Sequence, residues 1–393
     1  MGTAPHLFLI AGEPSGDALG ASLMAGLRAL IPGLRFSGIG GPLMEGQGLD
    51  SLFPISELSV MGLAEVLPRL PKLLARLRQA SAAVAEAAPD ALITIDSPDF
   101  CLRVAARARA ADPTLKTIHY VAPTVWAWRP ERARRMAAHV DHVLALFPFE
   151  PPWMQAAGMG CDFVGHPVAA WERPGDDACA AFRADAGIGA DERLLLVLPG
   201  SRRGEVGRML PVLAEVVRRA CARRPGLRVV LPAVAPLAAE IAAEVGSWPG
   251  RPVVLDPRPL SPEAAEMRKR TAFASADLAL AASGTVSLEL AAMGVPMLIA
   301  YRFNWLTTRI VRRRVRLKSA TLVNILTDSL AVPEFLFEAC TADNITPKLL
   351  ELLDDPAAGA GQRAAGARAM EMLGRGREPP GMRAARAVAK LIR

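Results

Sequence analysis

The sequence predicts an α/β protein of two domains, each a parallel sheet covered by helices on both faces. Two observations carry this. Short, uninterrupted apolar runs alternate with helix-length amphipathic stretches. The alternation then restarts midway along the 393-residue chain, after a break rich in Gly, Pro and charge. Strands buried on both faces read as continuous apolar runs, because neither face meets water.

In order along the chain, LFLIAG (7–12), ALITID (91–96), TIHYVAP (117–123) and HVLALFP (142–148) read as the first set of buried strands. LLLVLPG (194–200), RVVLPA (228–233), PVVLD (252–256), LALAAS (278–283) and PMLIAY (296–301) form the second. Ala-, Leu- and Arg-rich helical segments lie between them. The break falls at VGHPVAAWERPGDD (164–177). We therefore expect an N-terminal domain over 1–168 and a second domain over 169–365. A basic helical tail follows over 366–393, with a return onto the N-terminal domain as one placement. Two Rossmann-like domains facing across a cleft would hold ligands at the carboxyl ends of both sheets.

Composition narrows the function. Hydrophobic residues make up 51% and charged ones 22%, which is globular and not disordered. A net charge of +7 favours anionic partners: phosphorylated substrates, a membrane surface or nucleic acid. Aromatics are only 5%, against a stacking platform for single strands. Cys101, Cys161, Cys179, Cys221 and Cys340 are scattered and form no C-x-x-C pair, so neither a disulfide framework nor a zinc site is expected. The apolar run at 7–11 is too short for a secretory leader, and no stretch suits a membrane span. A cytoplasmic protein follows. No D-x-D or H-E-x-x-H motif occurs, so no metal and no cofactor are expected.

The first loop, AGEPSGD (11–17), has the strand–Gly-turn–helix frame of a phosphate cradle but carries Glu13 and Asp17 and no cation. The basic cradle is in the second half. In PGSRRGEV (199–206), Gly200 allows close approach, Ser201 offers a hydrogen bond, and Arg202 or Arg203 can fork onto a phosphate at a helix start. SGTVSLE (283–289) delivers Ser283, Gly284 and Thr285 to another helix start, with Glu289 one turn on, where a carboxylate suits ribose hydroxyls. In the first half, TIDSPDF (94–100) ends a strand with Asp96, Ser97 and Asp99. Such carboxylates suit general-base work, although capping of the following helix is the alternative. HVDHV (139–143) is read as structural.

Two segments combine apolar and basic residues. VMGLAEVLPRLPKLLARLRQ (60–79) places Val66, Leu67, Leu70, Leu73 and Leu74 among Arg69, Lys72, Arg76 and Arg78, with Pro68 and Pro71 expected to break it into short helical pieces. An apolar face framed by cations suits the plane of an anionic bilayer, though domain packing is the commoner role. RIVRRRVRLK (309–318) repeats the mixture, with nucleic acid as its rival reading. Trp126 and Trp128 with Arg129, Arg132, Arg134 and Arg135 suit sugar faces, acidic headgroups or nucleic acid, though ordinary packing is the commoner role of a single Trp.

Taken together, AGEPSGDALGA, GIGGPLM, DSPDF, IHYVAPTVWAWR, FPFE, FVGHP, LPGSRRGEV, ASGTVSLELA and LVNIL occur in an order that closely resembles the lipid-A-disaccharide synthases, glycosyltransferases of the GT-B fold. The resemblance covers residues 7–330, nearly the whole chain. It implies an inverting, metal-independent transfer from UDP-2,3-diacylglucosamine to 2,3-diacylglucosamine 1-phosphate, giving a β-1,6-linked disaccharide and UDP. It also implies work at the cytoplasmic face of the inner membrane as a peripheral protein, which favours residues 60–79 as the docking element. A dimer with exchanged C-terminal segments is suggested as well.

Carried onto this sequence, the resemblance makes Asp99 the first choice of base for the acceptor 6-hydroxyl and Asp96 the second. Ser201 and Arg202, with Gly200 and Arg203 beside them, would hold the diphosphate. Ser283, Gly284 and Thr285 would add a second phosphate contact, Glu289 would hold ribose, and Asn324 would line the donor site. Ser15 would contact substrate, with Gly12 and Gly16 permitting close approach. Pro14 stands where Ala is common in the family, and Val323 where Pro is common. Neither removes a functional group. The rivals are another UDP-sugar enzyme of the same fold, such as an epimerase, and a non-enzymatic nucleic-acid-binding module.

Overall fold

The computed structural model describes residues 5–58, 63–126, 131–302 and 319–392. The chain divides into two compact units, Met1–Ala170 with Leu373–Arg393, and Trp171–Met372. Among the described residues each unit holds one six-stranded sheet, parallel throughout.

In the first unit, β1 (His6–Ala11), β2 (Arg35–Ile39), β3 (Ala91–Ile95), β4 (Lys116–Tyr120), β5 (His142–Ala145) and β6 (Gly160–Phe163) lie in the order β2-β1-β3-β4-β5-β6. In the second, β7 (Leu194–Leu198), β8 (Arg228–Pro232), β9 (Val253–Leu255), β10 (Leu278–Ala281), β11 (Met297–Tyr301) and β12 (Glu334–Leu336) lie in the order β12-β11-β10-β7-β8-β9. The strands anticipated from apolar runs are chiefly the central ones; β3, β7 and β10 are buried at every residue. The three not anticipated, β2, β6 and β12, are edge strands. An edge strand is short and covered less completely, so it needs no continuous apolar run.

Both sheets reverse direction of growth once. In the first unit the chain adds β2 on one side of β1 and then β3 on the other. In the second it adds β8 and β9 on one side of β7 and then β10 on the other. Each reversal leaves a crevice beyond the carboxyl ends of the two central strands, the usual ligand position in such sheets.

The helices follow their sequence signals. Helix Arg203–Arg223 buries Val206, Met209, Leu210, Leu213, Val216, Val217 and Ala220, a stripe at three- and four-residue spacing. Helix Leu63–Ala87 runs through Pro68 and Pro71 without being split, contrary to the expectation of short pieces. Its later turns hold it: Leu77, Ala80 and Val84 are buried in the core against Leu92 and Val104, with Leu73 and Leu74 packed at the edge of that cluster. Tertiary packing of one face thus outweighs the helix-breaking cost of the prolines. Within the first unit the last helix, Pro380–Leu391, lies on helix Pro14–Leu30. Gly26 meets Ala385, and Gly381 sits so close to Ser22 that neither glycine position has room for a side chain.

Candidate active site

The acidic loop of the first unit lies at its sheet reversal. Ile10 and Ala11 of β1 pair with Thr94 and Ile95 of β3, so Gly12–Ser15 and Asp96–Ser97 leave the sheet side by side. A side chain at Gly12 would fall 2.4 Å from Ser97 Oγ, so the glycine is what lets the two loops touch. Gly16 packs against β3 in the same way, with the Ile95 carbonyl 3.3 Å from where its Cβ would be. Ser15 Oγ donates to Asp96 Oδ2 at 3.3 Å, and Ser97 Oγ donates to Glu13 Oε1 at 3.4 Å.

The three acidic candidates have different surroundings. Asp17 is buried and accepts N–H bonds from Gly41, Leu43 and Met44 at 2.8, 3.0 and 3.0 Å. It holds the start of helix Pro42–Glu45 and so explains the GIGGPLM motif as its structural partner. Asp99, in the first turn of helix Pro98–Ala111, is 94% exposed at its side chain and pairs with Arg132 at 2.9 Å. Neither Asp96 nor Asp99 caps that helix; Ser97 is its N-cap residue, and it makes no side-chain cap bond.

Backbone strain gathers at this edge. Asp96 (φ 53°), Ser97 (φ 40°) and Val121 (φ 81°), directly after β3 and β4, adopt left-handed conformations. For a β-branched residue such as Val121 this is a genuine outlier, and strain of this kind is commonly held at functional sites.

One group here was not anticipated. Glu150, the last residue of FPFE, is 1% exposed. Its carboxylate accepts from Trp126 Nε1 at 3.3 Å and from the Phe147 N–H at 3.0 Å. Burial pushes its pKa up to about 7, and these hydrogen bonds only partly oppose the rise. Trp126 meets Phe149 edge-on at 4.9 Å between ring centroids, Phe149 stacks on Phe147 at 5.4 Å, and Phe147 contacts His166 at 5.7 Å. The sequence signal was the motif itself, but nothing in its spacing marked the glutamate as buried. Trp128 and Arg129 lie outside the described residues. HVDHV proves structural: Asp141 takes Arg109 and the Thr117 N–H, and His142 pairs with Asp162.

The second unit repeats the arrangement with opposite charge. Leu198 of β7 pairs with Ala281 of β10, which brings Gly200–Arg202 beside Ser283–Thr285 at the reversal. Gly200 has φ 113°, and its turn presents the Ser201 N–H to the first turn of the following helix. That N–H bonds Glu205 Oε2 at 3.0 Å, with the Glu205 carboxylate folded over Gly200. Glu205 and burial together raise the Tyr301 hydroxyl to about 12, with burial the larger cause. Arg202 and Arg203 are both exposed, and Arg203 pairs with Glu240 at 3.3 Å. Ser283 Oγ donates to the Ala320 carbonyl at 3.2 Å. Glu289 pairs with Lys269 at 3.1 Å, and Lys269 also meets Glu266 and the Trp171 ring.

Asn324 has a different position from the one expected. It is 1% exposed, and both ends of its amide bond the backbone of Val332 at 2.9 Å. The group that organises this loop is Glu334, which accepts from Ser319 Oγ, from the N–H groups of Ala320 (3.1 Å) and Thr321 (2.8 Å), and from Asn324 Nδ2 (3.3 Å). Glu334 and Asn324 therefore fix residues 319–324 beside Ser283.

The family model described as lipid-A-disaccharide synthetase matches residues 7–378. The chain belongs to that family. A lipid-A-disaccharide synthase of Ruegeria pomeroyi is 55% identical over 387 residues, covering 98% of this chain and 95% of the relative. One from Rhodospirillum centenum is 48% identical, covering 98% and 94%. Among solved structures, a UDP-GlcNAc 2-epimerase from Neisseria meningitidis bound to UDP-GlcNAc aligns with a TM-score of 0.62 at 11% identity, covering 98% of each chain. That likeness is one of fold, the two-domain α/β architecture of GT-B enzymes. The family's match takes in both reversal loops, Glu150 and Glu334. Its C-terminal limit at 378 falls just before helix Pro380–Leu391. Among the described residues no helix is long and apolar enough to cross a membrane.

Proposed function

We propose that this chain is a lipid-A-disaccharide synthase. It transfers 2,3-diacylglucosamine from UDP-2,3-diacylglucosamine to the 6-hydroxyl of 2,3-diacylglucosamine 1-phosphate, with inversion at the anomeric carbon, and releases UDP. The carrying observation is membership of the family across residues 7–378. The two sheet reversals support a division of labour. The one bordered by Arg202, Ser201, Gly200 and Ser283–Thr285 offers the Arg202 cation to the UDP diphosphate, and the Ser201 N–H once the diphosphate takes the place of the Glu205 carboxylate. The one bordered by Ser15, Asp96 and Asp99 offers carboxylates to a sugar hydroxyl.

In this mechanism the acceptor oxygen attacks C1 of the donor sugar while the bond from C1 to the diphosphate oxygen breaks. A carboxylate takes the proton from the attacking hydroxyl. Asp99 is the first candidate because its side chain is open to solvent, and Asp96 the second because Ser15 orients it. A positioned base contributes about 10²–10⁴-fold. Arg202 stabilises charge as it grows on the leaving UDP, where a fixed cation acts most strongly. Glu289, freed from Lys269 or sharing it, takes the ribose hydroxyls. Asn324 and Glu334 support the donor loop from behind.

The protein binds the inner-membrane surface from the cytoplasmic side, where both acylated sugars reside. Leu70, 41% exposed, is the described apolar residue of 60–79 open to a bilayer, and the side chains of 60–69 lie outside the described set. Lys72 and Arg76 are held by Glu57 at 3.2 and 2.7 Å, so they contribute less to an anionic surface than their sequence position suggested. A homodimer is compatible with this reading.

The direct experiment incubates the full chain with both acylated sugars and measures disaccharide and UDP together. Formation of both in equal amounts is expected. Turnover of UDP-GlcNAc without disaccharide would favour the epimerase reading, and salt-steep nucleic-acid binding with neither product would favour the binding-module reading.

A further inference from the structure

FVGHP, residues 163–167, is one of the motifs that carry the family resemblance. Its glycine is explained by residues 208 and 218 positions further along the chain. Gly165 has φ 92°, and a Cβ there would fall 2.8 Å from the Leu373 carbonyl oxygen and 2.9 Å from Arg383 Nη1. Arg383 Nη2 donates to the Phe163 carbonyl at 2.7 Å, and its guanidinium lies over the Phe163 ring at 4.9 Å. The His166 N–H donates to the Leu373 carbonyl at 3.3 Å. The returning C-terminal segment therefore holds the chain from Phe163 to the His166 N–H within the first unit.

The imidazole is oriented as well as anchored. Its Nδ1 accepts the Val168 N–H at 3.2 Å, which places the ring proton on Nε2. Its other face contacts Phe147, in the aromatic cluster closed by Glu150. Burial lowers its pKa to about 4, so the ring stays neutral. Nε2 makes no hydrogen bond among the described residues, and the residue as a whole, though mostly buried, keeps some exposure. A histidine with one nitrogen fixed by backbone and the other presenting a directed N–H does more than fill the core. It lies just past β6, at the same carboxyl edge as Asp96 and Asp99.

We propose that His166 is a further substrate-contacting residue: its Nε2–H donates a hydrogen bond to a hydroxyl or acyl-carbonyl oxygen of the acylated sugar acceptor, and Arg383 is the residue that positions it. A neutral donor suits an uncharged oxygen better than a phosphate, for which a cation would be the stronger partner. The inference rests on the functional reading above, which assigns the acceptor to the first unit.

The test uses the full chain and a water-soluble, short-chain 2,3-diacylglucosamine 1-phosphate, with binding followed by calorimetry and turnover by disaccharide formation. His166→Ala should weaken acceptor binding about tenfold, as loss of one directed hydrogen bond does. His166→Gln, whose amide can place N–H near the Nε2 position, should recover to within about threefold of wild type, while His166→Asn, too short to do so, should not. UDP affinity should be unchanged in all three. Arg383→Met should weaken acceptor binding but add little in the His166→Ala background, since both changes remove the same contact. Wild-type acceptor affinity in His166→Ala overturns the proposal. Equal losses in the Ala and Gln variants with a lowered melting temperature also overturn it, by assigning the ring to packing alone. Absence of acceptor binding and disaccharide in the wild type would instead remove the functional reading itself, an outcome distinct from an active wild type with an indifferent His166.

Discussion

Replacing Glu150 with Gln should make the protein more stable at pH 8 and leave it unchanged near pH 4.5. The carboxyl is 1% exposed, and burial moves its pKa from 4.5 to about 7. The folded state therefore holds this proton more tightly than the unfolded chain does. Its contribution to stability is complete below pH 4.5 and is lost as pH rises through about 7. At about 1.4 kcal/mol for each pH unit between the two values, the loss is about 3 kcal/mol by pH 8. Gln matches the protonated acid in shape and carries no charge to desolvate. The variant should thus equal wild type in acid and exceed it by about 2–3 kcal/mol at pH 8, the lower figure allowing for a donor that faces the amide nitrogen. Urea unfolding of both proteins at pH 5, 6, 7 and 8, followed by fluorescence, measures the difference directly. Curves that stay parallel over this range would refute the argument, because the buried carboxylate would then carry no penalty. A variant less stable than wild type at pH 8 would show instead that the bonds from Trp126 and Phe147 outweigh desolvation.

Other consequences are more local. Asp99→Ala should lower turnover by about 10²-fold or more with UDP affinity retained; if Asp96→Ala alone does this, the base is Asp96. Arg202→Ala should weaken UDP binding about tenfold or more by calorimetry, while Arg203→Ala, already paired with Glu240, should change it less; equal effects would remove the distinction. Serine at Leu70, which is 41% exposed, should move protein from vesicles of anionic lipid into solution without a change in melting temperature, whereas serine at Leu73 and Leu74 should lower the melting temperature, since both pack on the core. Unchanged vesicle binding in the first variant would reject this face as the docking surface. Gly165→Ala should cost more than about 2 kcal/mol, because the residue combines a positive φ with a filled space; a wild-type melting temperature would contradict the described contact with Arg383.

Much of the fold was legible. Apolar runs marked the central strands because residues covered on both faces must be apolar throughout. The edge strands β2, β6 and β12 were hidden for the complementary reason, and the two prolines in 63–87 misled because packing of later turns carries that helix. The loops of the candidate site were also legible, since Gly turns before helices are local signals. The fates of individual side chains were not. Asp17 and Asp99 look alike in sequence, yet one holds a helix start in the core and the other is open to solvent. Asn324 reads as a ligand residue until its amide is found bonded to Val332.

By itself, then, the sequence determined the alternation of strands and helices, the presence of two α/β halves and the chemistry available at their loops. These depend on burial patterns and turn residues within a few positions of one another. The tertiary structure decided which loops are neighbours. Strand order placed Gly12 beside Ser97 and Gly200 beside Ser283, and the returning C-terminal segment placed Arg383 over Gly165. It also decided the charge state of Glu150 and the tautomer of His166. Those properties arise from desolvation and from partners distant in sequence, which no local pattern encodes.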